Sequence, residues 1–443
     1  MRTFRIGGVH PPENKISAAQ PIAVFPLPAS VTVPLGQHIG APAVAIVAKG
    51  DKVLAGQPIA KAGGFVSAAI HSPVSGTVTV VDAVPDAGGV RRPVITIAVE
   101  GDEWVSGVDR TDAIVAECNL EAKEIIEKIA AAGIVGMGGA TFPTQVKLSV
   151  PPGKKAEALI INGVECEPYL TSDHRVMLER GDEVVIGAKI LARALGVSRI
   201  YIGIENNKPD AIAHLTAVAA KHGGVHVTPL KVQYPQGGEK QLIDAVLRRQ
   251  VPSGALPIDV GAVVQNVGTA LAVYEAVQKN KPLVERVVTV TGKGVPRPAN
   301  LLVRIGTPVG ALIEHCGGIP AGTGKIISGG PMMGRAMVNP DSPVTKGTSG
   351  ILLMDNREAQ RAPAGDCIKC AKCVSACPMG LEPYLLSKMS KKLMWADMEP
   401  HRVTDCIECG CCAYTCPARL PLLDYVRLGK TEVMKIMRAR AQK

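Results

Sequence analysis

The chain has 443 residues, a formal net charge of +10, and only 3% aromatic residues. That length exceeds what one hydrophobic core organises, so three or four domains are expected. The modest positive charge comes without the recognition fold or interleaved aromatics that nucleic acid requires. No run of about 18 apolar residues occurs to span a membrane, and MRTFRIGGVHPPENK lacks the apolar stretch of a signal peptide.

Residues 1–110 are expected to form a small β-domain. PLGQHIG (Pro34–Gly40) leads into VAIVAKGDKVLAGQPIAKA, where short apolar stretches meet Gly-Asp and Ala-Gly turns. HSPVSGTVTVVDAV then adds another turn and an alternating strand. The stretches Gly50–Ile59 (G-D-x-V-x-x-G-Q-x-I) and Ser72–Val78 (S-P-V-S-G-T-V) resemble biotinyl- and lipoyl-type domains, which implies a barrel-sandwich hybrid. Phe65 stands near the place where those domains carry their modified lysine. The resemblance therefore implies the fold without the swinging arm, in a docking or structural role.

Residues 111–283 are expected to form a Rossmann-like domain. A helical pattern runs from Thr111 to Ala132 and stops at Gly133. From Gly133 to Ala140 five of eight positions are Gly or Ala, which lets backbone N–H groups approach a phosphate or a flat ring. The run is neither the dinucleotide fingerprint nor a Walker loop, and a bare glycine turn remains the alternative. Leu159, Ile160 and Ile161 predict a buried strand ending at Asn162-Gly163, where open α/β sheets hold ligands, and Glu165 and Glu167 follow at once. Alternating strand and helix patterns then continue through Ile200–Ile204, Gly237-Gly238 and Ile258–Gly261, as in a parallel sheet.

Residues 284–350 turn to strands with one short helix and suit a β-grasp module. DNREAQRAPAGD reads as a linker into residues 351–443, where Leu385, Leu386, Met389 and Leu393 have helical spacing. Towards the C-terminus Arg419, Arg427, Lys430, Lys435, Arg438, Arg440 and Lys443 face only Asp424 and Glu432, either a solvated basic helix or a contact for an acidic carrier or anionic membrane.

The cysteines of this last segment carry the sharpest signal. Cys367, Cys370, Cys373 and Cys377 read C-x2-C-x2-C-x3-C, closed by Pro378; Cys406, Cys409, Cys412 and Cys416 repeat it, closed by Pro417. This is the spacing of bacterial two-cluster ferredoxins, in which the fourth cysteine of each run ligates the other cluster. The expected sets are Cys367/Cys370/Cys373/Cys416 and Cys406/Cys409/Cys412/Cys377, giving two [4Fe–4S] clusters in a helical domain. Two zinc ribbons are the alternative, but zinc does not explain the x3 step and the proline twice over. Cys118, Cys166, Cys316 and Cys411 are spare. Free thiols and clusters both point to a reducing compartment. The fold class is thus multidomain α/β.

In order, these segments resemble the NADH-oxidising flavoprotein subunit of respiratory complex I. GIVGMGGATFPTQVKL is similar to its flavin loop G-x-G-G-A-G-F-P-T-x-x-K, with Thr141 in place of the last glycine. NGVECEPYLTSD is similar to its N-A-D-E-S-E-P, with Val164 for aspartate and Cys166 for serine. YPQGGEKQLI and QNVGT are similar to its Y-x-x-G-E-E and N-N-V-E-T segments. The whole chain, through GGVHPPENK, PLGQHIGAPA, ECEPYLTSD, GGPMMG, CPMGLEP and CPARLPLLDYVRLGK, is more similar still to the RnfC subunits of Rnf electron-transport complexes.

The resemblance implies non-covalent FMN, NAD(H) and two [4Fe–4S] clusters. It implies a peripheral subunit of an ion-pumping ferredoxin:NAD oxidoreductase complex on the cytoplasmic face of the bacterial inner membrane, exchanging electrons between NAD(H) and iron–sulfur clusters through FMN, with an iron–sulfur subunit among its partners. Residue by residue it implies FMN contacts from Gly136, Gly138, Gly139, Lys147, Asn162, Glu165, Tyr234, Gly237, Asn266 and Thr269, and NAD(H) contacts from Phe142, Glu167 and Glu239. A surface lysine, a core phenylalanine and a solvated acidic turn are the plain alternatives for Lys147, Phe142 and the glutamates. His174 reads as a structural hydrogen-bonding residue. Two other functions stay open: a soluble flavin and iron–sulfur reductase of cobalamin-reductase type, and a flavin-free electron-relay scaffold.

Overall fold

The computed structural model describes residues 1–441, so Lys443 lies outside them. Its centre is a four-stranded parallel sheet in the order Val225–Leu230, Arg199–Glu205, Ala158–Asn162, Ala262–Asn266. Leu159, Ile160 and Ile161 are wholly buried because helices cover both faces of such a sheet. Helices Gly181–Leu195 and Val267–Gln278 pack together in the main core, and Glu239–Leu247 belongs to a second core with Ile160 and Leu230. The chain winds one way from the first strand to the third and then returns to place the fourth beside the first. That reversal leaves a crevice at the carboxyl edge, between Asn162 and Asn266, which are register partners.

The expected helix from Thr111 forms only over Ala122–Ala131. Glu124 accepts from the Glu121 amide at 2.8 Å and fixes the start there. The preceding residues run without helix because Val115 N–H donates to the Tyr274 hydroxyl (3.0 Å) and the Gln278 amide donates to the Val115 and Glu117 carbonyls (3.0 and 2.7 Å). Leu393 departs from its expectation too, lying beyond helix Pro383–Lys391 with φ 57° and 67% exposure.

The N-terminal β-unit pairs a sheet of Ser30–Pro34, Arg91–Gly101, Ser75–Pro85 and Lys52–Val53 with one of Val44–Ala45, Pro58–Lys61 and Ile70–His71. Val31, Val33, Ile59, Ile70, Ile95 and Ile97 fill the space between them. Phe65 is 75% exposed in the turn between Pro58–Lys61 and Ile70–His71. The first 24 residues also bind the rest of the molecule: Arg2 bridges Leu230, Val9 bridges Tyr234, and Ile22–Val24 lies parallel to Ala299–Arg304.

That last pairing completes a six-stranded mixed sheet with Glu285–Thr291, Gly350–Asp355, Thr323–Ser328 and Arg335–Met337, so the unit runs past residue 350 to Asp355. The C-terminal unit is helical, its core made by Leu381, Leu386, Met389, Met398, Val426 and Val433. Its long helix Leu422–Ala441 is less free than its charge suggests. Arg427 and Lys430 pair with Glu408, Lys435 with Glu432, and Arg440 with Glu399. Among the described residues no helix is long and apolar enough to cross a membrane.

One buried amide locks three of these parts together. Asn300 Oδ1 accepts from the Thr171 and Thr289 hydroxyls, both at 2.8 Å, while its Nδ2 donates to the Ser17 and Gln20 carbonyls at 2.9 and 3.1 Å. Asn300→Ala strands buried partners on all sides, at about 1–3 kcal/mol for each group left unsatisfied. Denaturant unfolding should show a loss of about 2–4 kcal/mol, with Thr289→Ala losing clearly less.

Candidate functional site

The crevice between Asn162 and Asn266 is built from side chains that hold one another. Asn266 Oδ1 accepts from Gly268 N at 2.8 Å and caps helix Val267–Gln278, so its Nδ2 is left to donate to Asp173 Oδ2 at 2.7 Å. Asn162 Nδ2 donates to the Gly237 carbonyl at 2.9 Å and its Oδ1 accepts from Val164 N at 3.1 Å. The glycine loop lies beside this pair. Met137 N donates to Thr269 Oγ1 (2.9 Å), and Gly136 N to the Phe142 carbonyl (2.9 Å).

The glycines do different work. A Cβ on Gly138 would stand 2.8 Å from Asn266 Nδ2, so glycine is needed for the loop to approach the asparagine. A Cβ on Gly139 would meet nothing within 4 Å, so this backbone faces open space. A Cβ on Gly136 would make ordinary contacts at 3.6 Å or beyond. Thr141 keeps the glycine-like conformation of the residue it replaces, with φ 53°, and its methyl packs on Gly347 of the mixed sheet unit. An exposed backbone at the carboxyl edge, with an amide on each side, fits a flat ring and its phosphate tail.

Lys147 Nζ donates to Glu239 Oε1 at 2.6 Å and to the Val264 carbonyl at 3.1 Å. The cation paired with Glu239 therefore arrives from 92 positions earlier. Both side chains stay accessible, at 29% and 39%. Phe142 is half-buried beside them in sequence on the glycine loop.

The other two glutamates are committed elsewhere. Glu165 accepts from Asp173 N (2.7 Å) and His174 N (3.2 Å), capping helix Ser172–Glu179. Glu167 accepts from Met332 N (3.1 Å) and Met333 N (2.7 Å), and burial pushes its carboxyl up to about 7. Through these bonds both carboxylates fix the loop. Tyr234 also departs from its expected flavin contact. It is 2% exposed, and its hydroxyl donates to the Cys409 carbonyl at 2.8 Å, which turns it towards the cysteine unit. Gly237 sits beside it, with its N–H on Cys166 Sγ at 3.4 Å.

Several site residues escaped the sequence reading. Lys15 Nζ donates to the carbonyls of Glu165, Glu167 and Leu170 at 2.8, 2.9 and 2.7 Å, and Lys208 Nζ to that of Val164 at 2.8 Å. Asp173 and Arg286 share a cavity with Met137 and Gly268 under the glycine loop. Burial pushes the Asp173 carboxyl up to about 7 and the Arg286 guanidinium down to about 10. Lys15 lies within GGVHPPENK, so its string was visible but its targets were not. His174 contacts Asp210 at 2.9 Å, as a structural residue would.

Cys377 of the first run lines one apolar cavity with Cys406, Cys409, Cys411 and Cys412 of the second, among Leu381, Leu386, Leu423 and Val426. Burial raises the Cys406 thiol to about 11, with Cys409 and Cys377 raising it further. Of these five thiols, Cys377, Cys406, Cys409 and Cys412 have the spacing of cubane ligands, and an iron–sulfur cubane fits both that donor set and the apolar wall. Elsewhere in the unit Gly365 N donates to the Ala418 carbonyl (2.9 Å), which brings the start of the first run to the end of the second, and burial, with Cys416 adding to it, raises the Cys373 thiol. Cys411 is wholly buried, with its Sγ 3.9 Å from the Tyr234 carbonyl.

Comparison with known proteins matches every unit. Residues 3–103 match the RnfC barrel sandwich hybrid domain, 129–275 the Nuo51 FMN-binding domain, 287–336 the SLBB domain and 360–417 the 4Fe-4S dicluster domain. The C subunit of the proton-translocating ferredoxin:NAD(+) oxidoreductase complex of Clostridium ljungdahlii is 47% identical over 435 residues, covering 98% of this chain and 94% of its own. The Na(+)-translocating counterpart of Acetobacterium woodii is 44% identical over 437 residues, covering 98% and 97%. The C subunit of the ion-translocating oxidoreductase complex of Rhodobacter capsulatus is 46% identical over 395 residues, covering 87% and 75%. Among solved structures, an NAD+-reducing [NiFe]-hydrogenase in the H2-reduced state aligns with TM-score 0.50 at 18% identity, over 70% of this chain and 61% of that one, a likeness of fold.

Two glycine variants separate loop structure from flavin contact. Gly138→Val forces its side chain onto Asn266 and should lower both the melting temperature and the bound FMN. Gly139→Val meets no protein atom at its Cβ, and should weaken FMN binding about tenfold, near 1.4 kcal/mol, without lowering the melting temperature. Flavin per chain and thermal unfolding of the apoprotein read the two effects separately.

Proposed function

We infer the activity from one premise: the chain belongs to the family of C subunits of ion-translocating ferredoxin:NAD(+) oxidoreductase complexes. It is an electron-transfer subunit of an oxidoreductase, with an FMN domain and a two-cluster domain, and it works with the other subunits of such a complex. The flavin-free scaffold loses its ground because the FMN domain matches along 129–275. The soluble cobalamin-type reductase loses it because full-length relatives are complex subunits.

When bound, FMN accepts two electrons together and releases them singly, and each cluster carries one. The protein's share is placement. In our reading the four-stranded unit is Rossmann-like, the mixed sheet is a β-grasp module, and the flavin lies against Gly138 and Gly139. Asn266 and Asn162 flank it with amides whose orientations Asp173 and Gly237 hold. Thr269 and Arg286 keep the loop in place, the first on Met137 N and the second within 3.5 Å of the Met137 carbonyl. Lys147 supplies positive charge for a phosphate or ribityl oxygen. Glu239 accepts the ribose hydroxyls of NAD(H), and Phe142 lies against a nicotinamide nucleotide base. Glu165 and Glu167 act by positioning the loop that borders the crevice. The observation that carries this reading is the juxtaposition of the open Gly139 backbone with the Asn162–Asn266 crevice. We place the subunit at the cytoplasmic face of the membrane, where NAD(H) is found.

Anaerobically purified protein should contain about eight irons and one FMN, with no stoichiometric zinc, and NADH should bleach the flavin absorbance. Cys377→Ala should abolish the paramagnetic signal of the cluster it shares with Cys406, Cys409 and Cys412. Loss of the Cys367/Cys370/Cys373 signal instead would reject the crossed assignment.

Glu239→Ala should weaken NADH binding by about 1.5–3 kcal/mol, roughly 10- to 150-fold, the scale of a charge-assisted hydrogen bond. Iron should stay normal, and FMN close to it, since Lys147 keeps its bond to the Val264 carbonyl. Stopped-flow flavin reduction over a range of NADH concentrations measures the change. Unchanged kinetics would move the nicotinamide site elsewhere.

A further inference from the structure

The two cysteine runs are copies of one turn, and the structure covers one copy and leaves the other bare. Cys406–Cys412 reads C-I-E-C-G-C-C and Cys367–Cys373 reads C-I-K-C-A-K-C. Both turns are left-handed at the same two positions: Glu408 (φ 59°) and Gly410 (φ 80°) in one, Lys369 and Ala371 (each φ 57°) in the other. The backbones therefore match. Their surroundings do not.

The second turn is roofed by the rest of the chain. Ile407 packs in a cluster with Val9, Tyr234, Ala376 and Met332. Gly410 lies beneath Met332, whose carbonyl would be 3.1 Å from a Cβ there, and Glu408 is held by Arg427 and Lys430. In the first turn the equivalent Ile368 is 68% exposed, and Lys369, Lys372, Cys367 and Cys370 are exposed with it. An apolar side chain on an otherwise cationic turn, at the position where the twin half-buries its isoleucine against other parts of the chain, is an interface half. Between Cys367 and Cys373 the charge is of one sign, Lys369 and Lys372, with Asp366 just before the turn.

We propose that the Cys367–Cys373 turn is the docking face for an acidic iron–sulfur protein, which covers Ile368 as the α/β domain covers Ile407. The proposal rests on the cofactor reading above, and it orders the centres. The Cys377/Cys406/Cys409/Cys412 group faces Tyr234 and lies inward; the Cys367/Cys370/Cys373/Cys416 group lies outward and meets the partner. One electron at a time crosses this face, the donor centre being oxidised as the acceptor centre is reduced, with no bond made and no proton moved. Direction follows the potentials.

The test uses the holoprotein, NADH, and two oxidants: an acidic two-cluster bacterial ferredoxin, which must dock, and ferricyanide, which need not. Double charge reversal, Lys369→Glu with Lys372→Glu, should slow ferredoxin reduction about tenfold or more at low ionic strength, within the range electrostatic steering commands. Ferricyanide reduction, FMN and iron should be unchanged. Wild-type ferredoxin reduction should slow as salt rises, Ile368→Ser should slow it at every salt concentration, and Lys52→Glu on the N-terminal β-unit should change nothing. Wild-type rates in both turn variants, or a rate indifferent to salt, would overturn the proposal. Should the charge reversal lose iron, Ile368→Ser and the salt dependence decide. Failure of NADH to reduce ferricyanide in wild-type protein with full iron would instead remove the cofactor reading and leave the docking face to be judged by ferredoxin binding alone.

Discussion

Strands Ala158–Asn162 and Ala262–Asn266 lie side by side in register, yet the chain leaves them in opposite directions. Neither connection can fill the space above their shared carboxyl edge, and the rest of the molecule is arranged around that space. The glycine loop arrives on one side because Thr269, in the first turn of the helix after Asn266, takes up the Met137 amide. The 163–170 loop forms the other side. The cysteine unit closes in beyond Tyr234, through its hydroxyl and through the Gln241 amide, which donates to the Pro378 carbonyl at 3.2 Å. Moving the reversal would dissolve all three arrangements at once.

Buried and half-buried lysines hold the pieces where apolar packing alone would leave them free to slide. An ammonium group has three donors, and Lys15 spends all of them on carbonyls of the 163–170 loop. Lys346 is wholly buried and donates to the Ala69 and Gly133 carbonyls at 2.9 and 2.7 Å, joining the N-terminal β-unit, the mixed sheet unit and the start of the glycine loop. Burial pulls this lysine down to about 7. Such groups are expensive to desolvate and add little net stability. Their use lies in direction: a point charge saturated by carbonyls permits one relative placement of three segments, whereas a patch of valines permits several.

What could be read from the sequence was what depends on local spacing. The cysteine strings stand out because cubane geometry forces short intervals, and the buried run Leu159–Ile161 announces a strand whose end must be an edge. Asn162, Asn266 and the glycines were picked out by resemblance, and the structure brings Gly138 against Asn266 beside Asn162. The glutamates were half legible. A sequence displays the carboxylates of Glu165 and Glu167 but not the amides of His174, Met332 and Met333 that occupy them. Lys147 and Glu239 looked unpaired because their partnership spans 92 residues, and Lys15 reaches its targets from 150 residues or more away. The Thr111–Ala132 helix was over-read because Ile, Val and Ala at helical spacing also suit a chain tacked down by Tyr274 and Gln278.

The N-terminal segment shows why the units cannot be understood one at a time. Arg5 pairs with Asp244, Gly8 N donates to the Ala376 carbonyl at 3.0 Å, and Glu13 accepts from Tyr169 N at 2.8 Å through its carbonyl before Lys15 enters the loop. A Cβ on Gly7 would lie 2.6 Å from the Cys377 backbone, so the segment presses directly on a cluster cysteine. Between Arg5 and Lys15 the same strand of chain therefore fixes the cysteine unit at one end and the crevice-lining loop at the other. Electron transfer depends steeply on separation, and these contacts hold the cysteine unit and the α/β unit at one separation. That is sufficient reason for a segment with no chemistry of its own, GGVHPPENK, to carry so specific a sequence.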